Sequence, residues 1–346
     1  MVALGYHLSS EEHGPQDLVR YAAHAEEVGF EFALISDHFH PWTRRQGHSP
    51  FVWGVLGAIA HATRRLRVGT GVTAPIIRMH PAVVAHAAAT AALLMPDRFF
   101  LGVGAGEHLN EHILGDPWPP PSTRVDMLEE ALRVIRLLWQ GGSHDHEGAH
   151  YRVEDARIFD LPDPPPPIVV AAAGKRTTRI AAELGDGLLS VAPDAEVVRR
   201  FRDQAGTDKP AYAKITACWA PDEAEARRIA HQVWPVGGLP GRLMPELRVP
   251  EDFEAATSVL DEGQVASGLV LGPDPDTTSA PSRGSCGPAS TTSPSTKSGP
   301  TRRASSTSTG ARSYPASPTT RRSRRRDERR AMPTIIERDE VRRLVA

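Results

Sequence analysis

Strand-like and helix-like stretches alternate seven times along the 346 residues, and each strand-like stretch is apolar throughout instead of at every second position. Strands of that kind are buried on both faces, as in a parallel sheet with helices packed over it. The strands read as residues 2–7, 30–35, 66–72, 99–104, 168–172, 188–191 and 212–219. The helices read as residues 15–28, 51–62, 81–94, 122–139, 175–184, a stretch ending at 204, and 222–233. Pro15 suits a first helical turn and Gly29 a stop, and Val125, Leu128, Leu132, Ile135 and Leu138 recur at helical spacing. Residues 141–166 break the rhythm as a turn-rich insertion, with a hairpin expected around Tyr151 and Ile158. Seven strand-then-helix units predict an α/β protein, a (β/α)8 barrel whose eighth unit is not accounted for. A doubly wound dinucleotide-binding sheet is rejected. Gly102-Val103-Gly104 has Glu107 where the third glycine belongs, and it comes fourth in the series rather than first.

An unusual segment stands where the eighth unit is owed. From Thr277 to Arg330 there is no Leu, Ile, Val, Met, Phe or Trp. Such a stretch cannot bury enough apolar surface to offset its ordering entropy, so disorder is expected. Its Ser, Thr, Pro, Ala and Arg are what GC-rich codons for apolar and acidic residues become when read one base late, and a frameshift is preferred to a natural linker. The chain therefore divides into an incomplete barrel (1–276), this segment (277–330) and a short tail of unassigned role (331–346). After Asp276 there are fifteen Lys and Arg against five Asp and Glu, so the first 276 residues carry a formal charge of −12 within an overall −2. An acidic body argues against nucleic acid as a partner, leaving a binder that uses the basic run 321–330 as a remote alternative. Cys218 and Cys286 form neither a disulfide framework nor a metal-ligand spacing. With no export leader and no apolar run long enough for a bilayer, the expectation is a cytoplasmic protein without a membrane partner.

Chemistry-bearing residues gather in Ser36-Asp37-His38-Phe39-His40-Pro41-Trp42, where the second strand should end. In parallel α/β proteins catalytic groups sit at the carboxyl ends of strands. A neutral His38 could accept a proton as a general base. A strand-end histidine held by backbone hydrogen bonds is the plainer alternative, and the sequence displays no partner for it. A His38–His40 metal pair lacks a third ligand at usual spacing. Trp42 is either a pocket wall or a core indole. Glu107 and Asn110 follow the fourth strand in a loop whose glycines let the backbone approach a ligand; Glu107 as a cap for the next helix is the competing reading. Ala172-Ala173-Gly174 lead into a helix start, where free N–H groups suit an anion. His144, His146 and His150, beside Asp145 and Glu147, read as a solvated loop rather than a metal site.

The run 36–42, Gly47-His48-Ser49-Pro50-Phe51, Gly69-Thr70-Gly71-Val72 and residues 101–111 resemble the luciferase-like superfamily. Within it they are most similar to the coenzyme F420-dependent glucose-6-phosphate dehydrogenase group, and the resemblance runs from about residue 4 to 276. It implies a (β/α)8 barrel, usually a homodimer, that binds a deazaflavin at the carboxyl face of its strands and exchanges hydride with a small-molecule substrate. It implies His38 as the base, Glu107 as the acid toward the cofactor ring and Trp42 as the pocket wall. Cofactor contacts are implied for Asp37, Asn110, a non-prolyl cis bulge at Gly71-Val72, and Ala172, Ala173 and Gly174, the last three at the phosphodiester. Ala74 stands where the glucose-6-phosphate enzymes carry a threonine. Their phosphate-gripping threonine, two lysines and arginine correspond here to Val191, Asp194, Met244 and Gly268. None of these pairs with a dianion, so an alcohol or carbonyl compound of lower charge is expected in place of glucose 6-phosphate. An FMN-dependent monooxygenase of the same superfamily and an inactive frameshifted product are the alternatives.

Overall fold

The chain lays down strand and helix by turns, as the apolar pattern requires. A computed structural model describes residues 3–272; segment 277–330 and tail 331–346, with the frameshift and disorder expected there, lie outside the described residues. The first half comprises β1 (Gly5–Leu8), α1 (Pro15–Glu27), β2 (Phe32–Ile35), α2 (Val52–Ala62), β3 (Arg67–Thr70), α3 (Pro81–Leu94), β4 (Phe99–Val103), a short α4 (His108–Glu111) and α5 (Pro121–Leu138). A hairpin of β5 (His144–Glu147) and β6 (Arg152–Ala156) fills the insertion, with Tyr151 and Ile158 buried beside it. Then come β7 (Ile168–Ala171), α6 (Lys175–Glu183), β8 (Gly187–Ser190), α7 (Ala195–Ala205), β9 (Ala211–Ala213), β10 (Ala217–Cys218) and α8 (Glu223–Val233). Last are α9 (Pro250–Thr257), α10 (Glu262–Ala266) and β11 (Val270–Leu271).

Seven strands form one parallel sheet in the order β1-β2-β3-β4-β7-β8-β9. Side chains alternate across it. Leu34, Phe100, Val169 and Leu189, with Phe32, Val72 and Tyr212, fill the inner face, while the larger cluster packs the outer face against the helices. Gly69 is glycine for a steric reason: a Cβ there would lie 2.2 Å from the Phe100 ring. Among the described residues, no helix is long and apolar enough to cross a membrane.

Two expectations are corrected. The seventh strand, read as one run over 212–219, is split, because the chain changes partners. Its first part pairs with β8 and ends as Lys214 donates its N–H to Ser190 O; its second part, β10, pairs with β11. Beyond the split, β11 runs parallel to β10 in a separate two-stranded sheet, with Val270 N donating to Thr216 O at 2.9 Å; the segment where the eighth unit is owed lies outside the described residues. Two residues between glycine-flanked turns give too little periodicity to be read from sequence. The stretch between α8 and β11, which carries no expected element, folds into α9, α10 and a short 3-10 turn.

Candidate active site

His38, three residues beyond the end of β2, is buried between two carboxylates. Its Nε2 lies 3.4 Å from Glu11 Oε1 and 3.4 Å from Glu107 Oε2. Its other ring nitrogen, Nδ1, bonds the carbonyl of His40 at 3.1 Å, which fixes the ring plane. Glu11 comes from the loop after β1 and Glu107 from the loop after β4, so three strand ends meet at one imidazole.

Ser36 and Ser9 donate their hydroxyls to Glu11 Oε2 at 2.5 and 3.0 Å. Burial works to raise this carboxyl, but His38, the Ser36 hydroxyl, His7 and Lys214 outweigh it and hold the group down at about 2. Glu107 moves the other way: burial dominates and raises it, with His38 only partly opposing. One acid is thus held ionised and its neighbour is pushed toward its protonated form, a difference that separates base-side from acid-side roles. Glu107 stands at the N-cap position of α4 yet makes no side-chain cap bond. Its Oε2 instead faces His38 and accepts from Asn110 Nδ2 at 3.2 Å.

Asn110 ties two loops together, its Oδ1 accepting from the N–H groups of Phe39 (2.8 Å) and His40 (3.3 Å). The Asp37 carboxylate is buried and fully engaged: Thr73 Oγ1 donates to it at 2.8 Å and Arg78 at 2.9 Å. Asp37 therefore braces the loops after β2 and β3 instead of presenting free oxygens. Glu111 holds the far side of Arg78 by accepting its backbone N–H at 2.7 Å. The peptide between Gly71 and Val72 is cis, as the resemblance implies. Beyond it the chain rejoins β4, with Thr73 N donating to Gly102 O (2.9 Å) and Gly104 N to Thr73 O (3.0 Å). Ala74 is buried beside this bulge.

Trp42 closes the site from behind. Its ring meets the His38 ring edge-on at 4.8 Å and the Phe253 ring of α9 at 5.2 Å. Arg44 pairs with Glu254 of α9 at 2.5 Å, and Glu246 accepts from Arg124 (2.6 Å) and Trp118 (3.2 Å). The segment after α8 is thereby pinned over the loops that carry His38 and Glu107. At the end of β7, Ala172 is buried, while Ala173 and Gly174 are exposed before α6, whose first turn holds no acid. Among the described residues, no group of three or more His, Cys, Asp and Glu could hold a metal ion; His146 pairs with Glu130 at 3.1 Å. Of the residues singled out from sequence, the structure brings together His38, Glu107, Asn110 and Trp42. Ala172, Ala173 and Gly174 belong to another strand end of the same face.

Glu11, His7 and Lys214 escape the sequence reading. Glu11 obeys the same strand-end rule as His38, but nothing local distinguishes it from the adjacent Glu12. His7 and Lys214 lie inside stretches read as plain strand.

The parallel sheet of this α/β chain thus brings Glu11, His38 and Glu107 together at the carboxyl ends of its strands. The model of the luciferase-like monooxygenase family matches residues 2–279, and the chain belongs to that family. Among its relatives, an F420-dependent glucose-6-phosphate dehydrogenase of Beutenbergia cavernae is 35% identical over 288 residues, covering 80% of this chain and 85% of the relative. The enzyme of the same description from Mycolicibacterium gilvum is 36% identical over 289 residues, covering 79% and 85%. A solved F420-dependent secondary alcohol dehydrogenase, in complex with an F420-acetone adduct, superposes with a TM-score of 0.75 at 28% identity over 81% of this chain and 88% of that one.

Proposed function

We propose that this protein is a coenzyme F420-dependent oxidoreductase that moves hydride between the deazaflavin and a hydroxyl-bearing carbon, with His38 as the base. The relatives of 35% identity and the secondary alcohol dehydrogenase support the cofactor and reaction class. The observation that carries the residue roles is the placement of His38 Nε2 at 3.4 Å from both Glu11 and Glu107.

The residues present fit a deazaflavin. The Gly71-Val72 bulge faces Gly104, where a Cβ would lie 2.8 Å from Val72 Cγ2, so the backbone there is kept free of side chain. A Cβ on Gly174 would meet nothing within 4 Å, and the exposed start of α6 offers N–H groups to a phosphodiester. When bound, the deazaflavin accepts or donates the hydride. The chain's own work is positional and protonic. His38 Nε2 takes the hydroxyl proton, and ionised Glu11 stabilises the imidazolium that results. Glu107, kept toward its protonated form by burial, supplies a proton on its side of the pocket. Asn110 and Asp37 hold the three loops in register, and Trp42 excludes water behind His38.

The substrate is an alcohol or ketone without a phosphate. Val191 is exposed and apolar, and Asp194 spends its carboxylate on the N–H groups of Glu196 and Val197 as the cap of α7. Met244 packs into the apolar cluster of Trp42 and Phe253, and a Cβ at Gly268 would collide with Gly237 O at 2.6 Å. The test is a titration of the purified protein with F420, followed by fluorescence, and then assay of cofactor reduction with short secondary alcohols and with glucose 6-phosphate. Alcohol-dependent reduction is expected, with kcat/KM for glucose 6-phosphate at least tenfold lower. Preferential turnover of glucose 6-phosphate would overturn the substrate class, and failure to bind F420 would overturn the whole proposal.

A further inference from the structure

The proton transfer above leaves one inward-facing cation unused. Tyr212 of β9 lies in the inner cluster, and the ladder continues past it as Lys214 donates its N–H to Ser190 O at 3.0 Å. Strand alternation therefore turns Lys214 inward as well. His7 of β1 pairs in register with Leu34, another inner residue, and faces the same way. The two side chains meet across the edge strands of the sheet, Lys214 Nζ donating to His7 Nε2 at 3.4 Å. Burial pushes His7 down to about 3, so the acceptor is a neutral imidazole and brings no charge. Among the described residues Lys214 makes no ion pair, and two of its three N–H groups have no hydrogen-bond partner. Glu11 spends its oxygens on Ser9, Ser36 and His38, and burial pushes Glu107 toward its protonated form.

Lys214 borders the place where a substrate of His38 must lie. Its Nζ is 5.4 Å from the centre of the Trp234 ring, and Trp234 packs against the cluster of Trp42 and Phe253. The Trp42 ring in turn meets that of His38 at 4.8 Å. One aromatic wall thus runs from the imidazole to the ammonium group, each just beyond the carboxyl end of its strand.

We propose that Lys214 is a specificity-determining residue that takes a single carboxylate on the substrate, so that the protein acts on hydroxy acids and keto acids in preference to neutral alcohols and ketones. The inference rests on the reading of this site as one of hydride transfer at a hydroxyl-bearing carbon. A half-buried ammonium group whose one acceptor is neutral lacks a counter-charge, and a carboxylate supplies it together with acceptors for the two free N–H groups. A neutral alcohol would supply an acceptor and no charge. A phosphate dianion would bring more charge than one ammonium group offsets, and Val191, Asp194, Met244 and Gly268 add no cation. The carboxylate takes no part in the bond changes: hydride leaves the hydroxyl-bearing carbon for the deazaflavin, and the hydroxyl proton goes to His38.

The test compares F420 reduction by 2-butanol and by 3-hydroxybutyrate, in which a carboxylate replaces one methyl group. In the unaltered protein kcat/KM is expected to be higher for the hydroxy acid by at least about tenfold, the worth of one charge-assisted hydrogen bond. Lys214→Met is expected to abolish that preference, chiefly through KM, and Lys214→Arg to keep the hydroxy acid preferred. Lys214→Gln, which keeps a donor for His7, makes the same comparison where the methionine variant does not fold. No preference for the hydroxy acid in the unaltered protein, or a preference that survives loss of the charge, overturns the proposal. Butyrate has no hydroxyl to oxidise, and its binding, followed by ligand-observed NMR, needs no turnover; it is expected with the unaltered protein and not with Lys214→Met. Butyrate binding that depends on Lys214 in a protein that oxidises neither compound would support the anchor and refute the hydride-transfer reading. Oxidation of 2-butanol without butyrate binding would do the reverse.

Discussion

At the residue scale, Glu107 and Glu11 differ in what surrounds them, not in their chemistry. Glu107 could have capped α4, and its carboxyl turns to His38 and Asn110 instead. Glu11 is held at about 2 by a positive and hydrogen-bonding environment, well below the ordinary value of 4.5. An acid with a depressed native pKa contributes stability that is present above its unfolded value and lost as pH falls through the native one. Unfolding free energy is therefore expected to drop by roughly 3 kcal/mol between pH 4.5 and 2 on account of this group. In Glu11→Gln that component of the fall is absent, which denaturant titrations at several pH values would reveal. Asn110→Ala frees the N–H groups of Phe39 and His40 and releases Glu107. A loss of about 10–100-fold in kcat is expected, with F420 affinity changed far less; equal losses in both would contradict a role in alignment.

At the element scale, the strands were legible where apolar runs were long, and illegible where backbone pairing alone defined them. Residues 30–35 and 168–172 announce themselves, and the structure places β2 and β7 there. β11 rests on two residues, and β10 hides inside a longer run because the change of partner leaves no mark on side-chain type. Helices α9 and α10 were missed for a related reason: at eight and five residues they are too short for a clear period. Two substitutions test this layer. In Gly102→Ala the new methyl would sit 1.9 Å from Thr70 O, so β3 and β4 must separate. A loss of several kcal/mol is expected in chemical denaturation, of the order found for overpacked cores or more. Val270→Pro removes the N–H that Thr216 O accepts and is expected to lower the midpoint of chemical denaturation through the loss of that pairing bond. An unchanged midpoint would mean that this pairing contributes nothing.

At the scale of the whole molecule, the site is an assembly of strand ends, and that is why only part of it could be read in advance. His38, Trp42, Glu107 and Asn110 sit in local runs dense with unusual residues. Glu11, His7 and Lys214 are isolated in sequence and become partners only when the carboxyl ends of β1, β4 and β9 converge on the end of β2. Asp37 carried an expected cofactor role in the sequence reading, and its carboxylate is buried in bonds to Thr73 and Arg78 that no local pattern announces. The most direct measurement compares His38→Ala with the unaltered protein in two assays on the same preparation, F420 binding by fluorescence titration and turnover with the best alcohol substrate. Expected is cofactor binding within a few-fold and turnover reduced by at least about 10²-fold, the usual worth of a positioned base. Turnover undiminished with F420 bound would contradict the central claim.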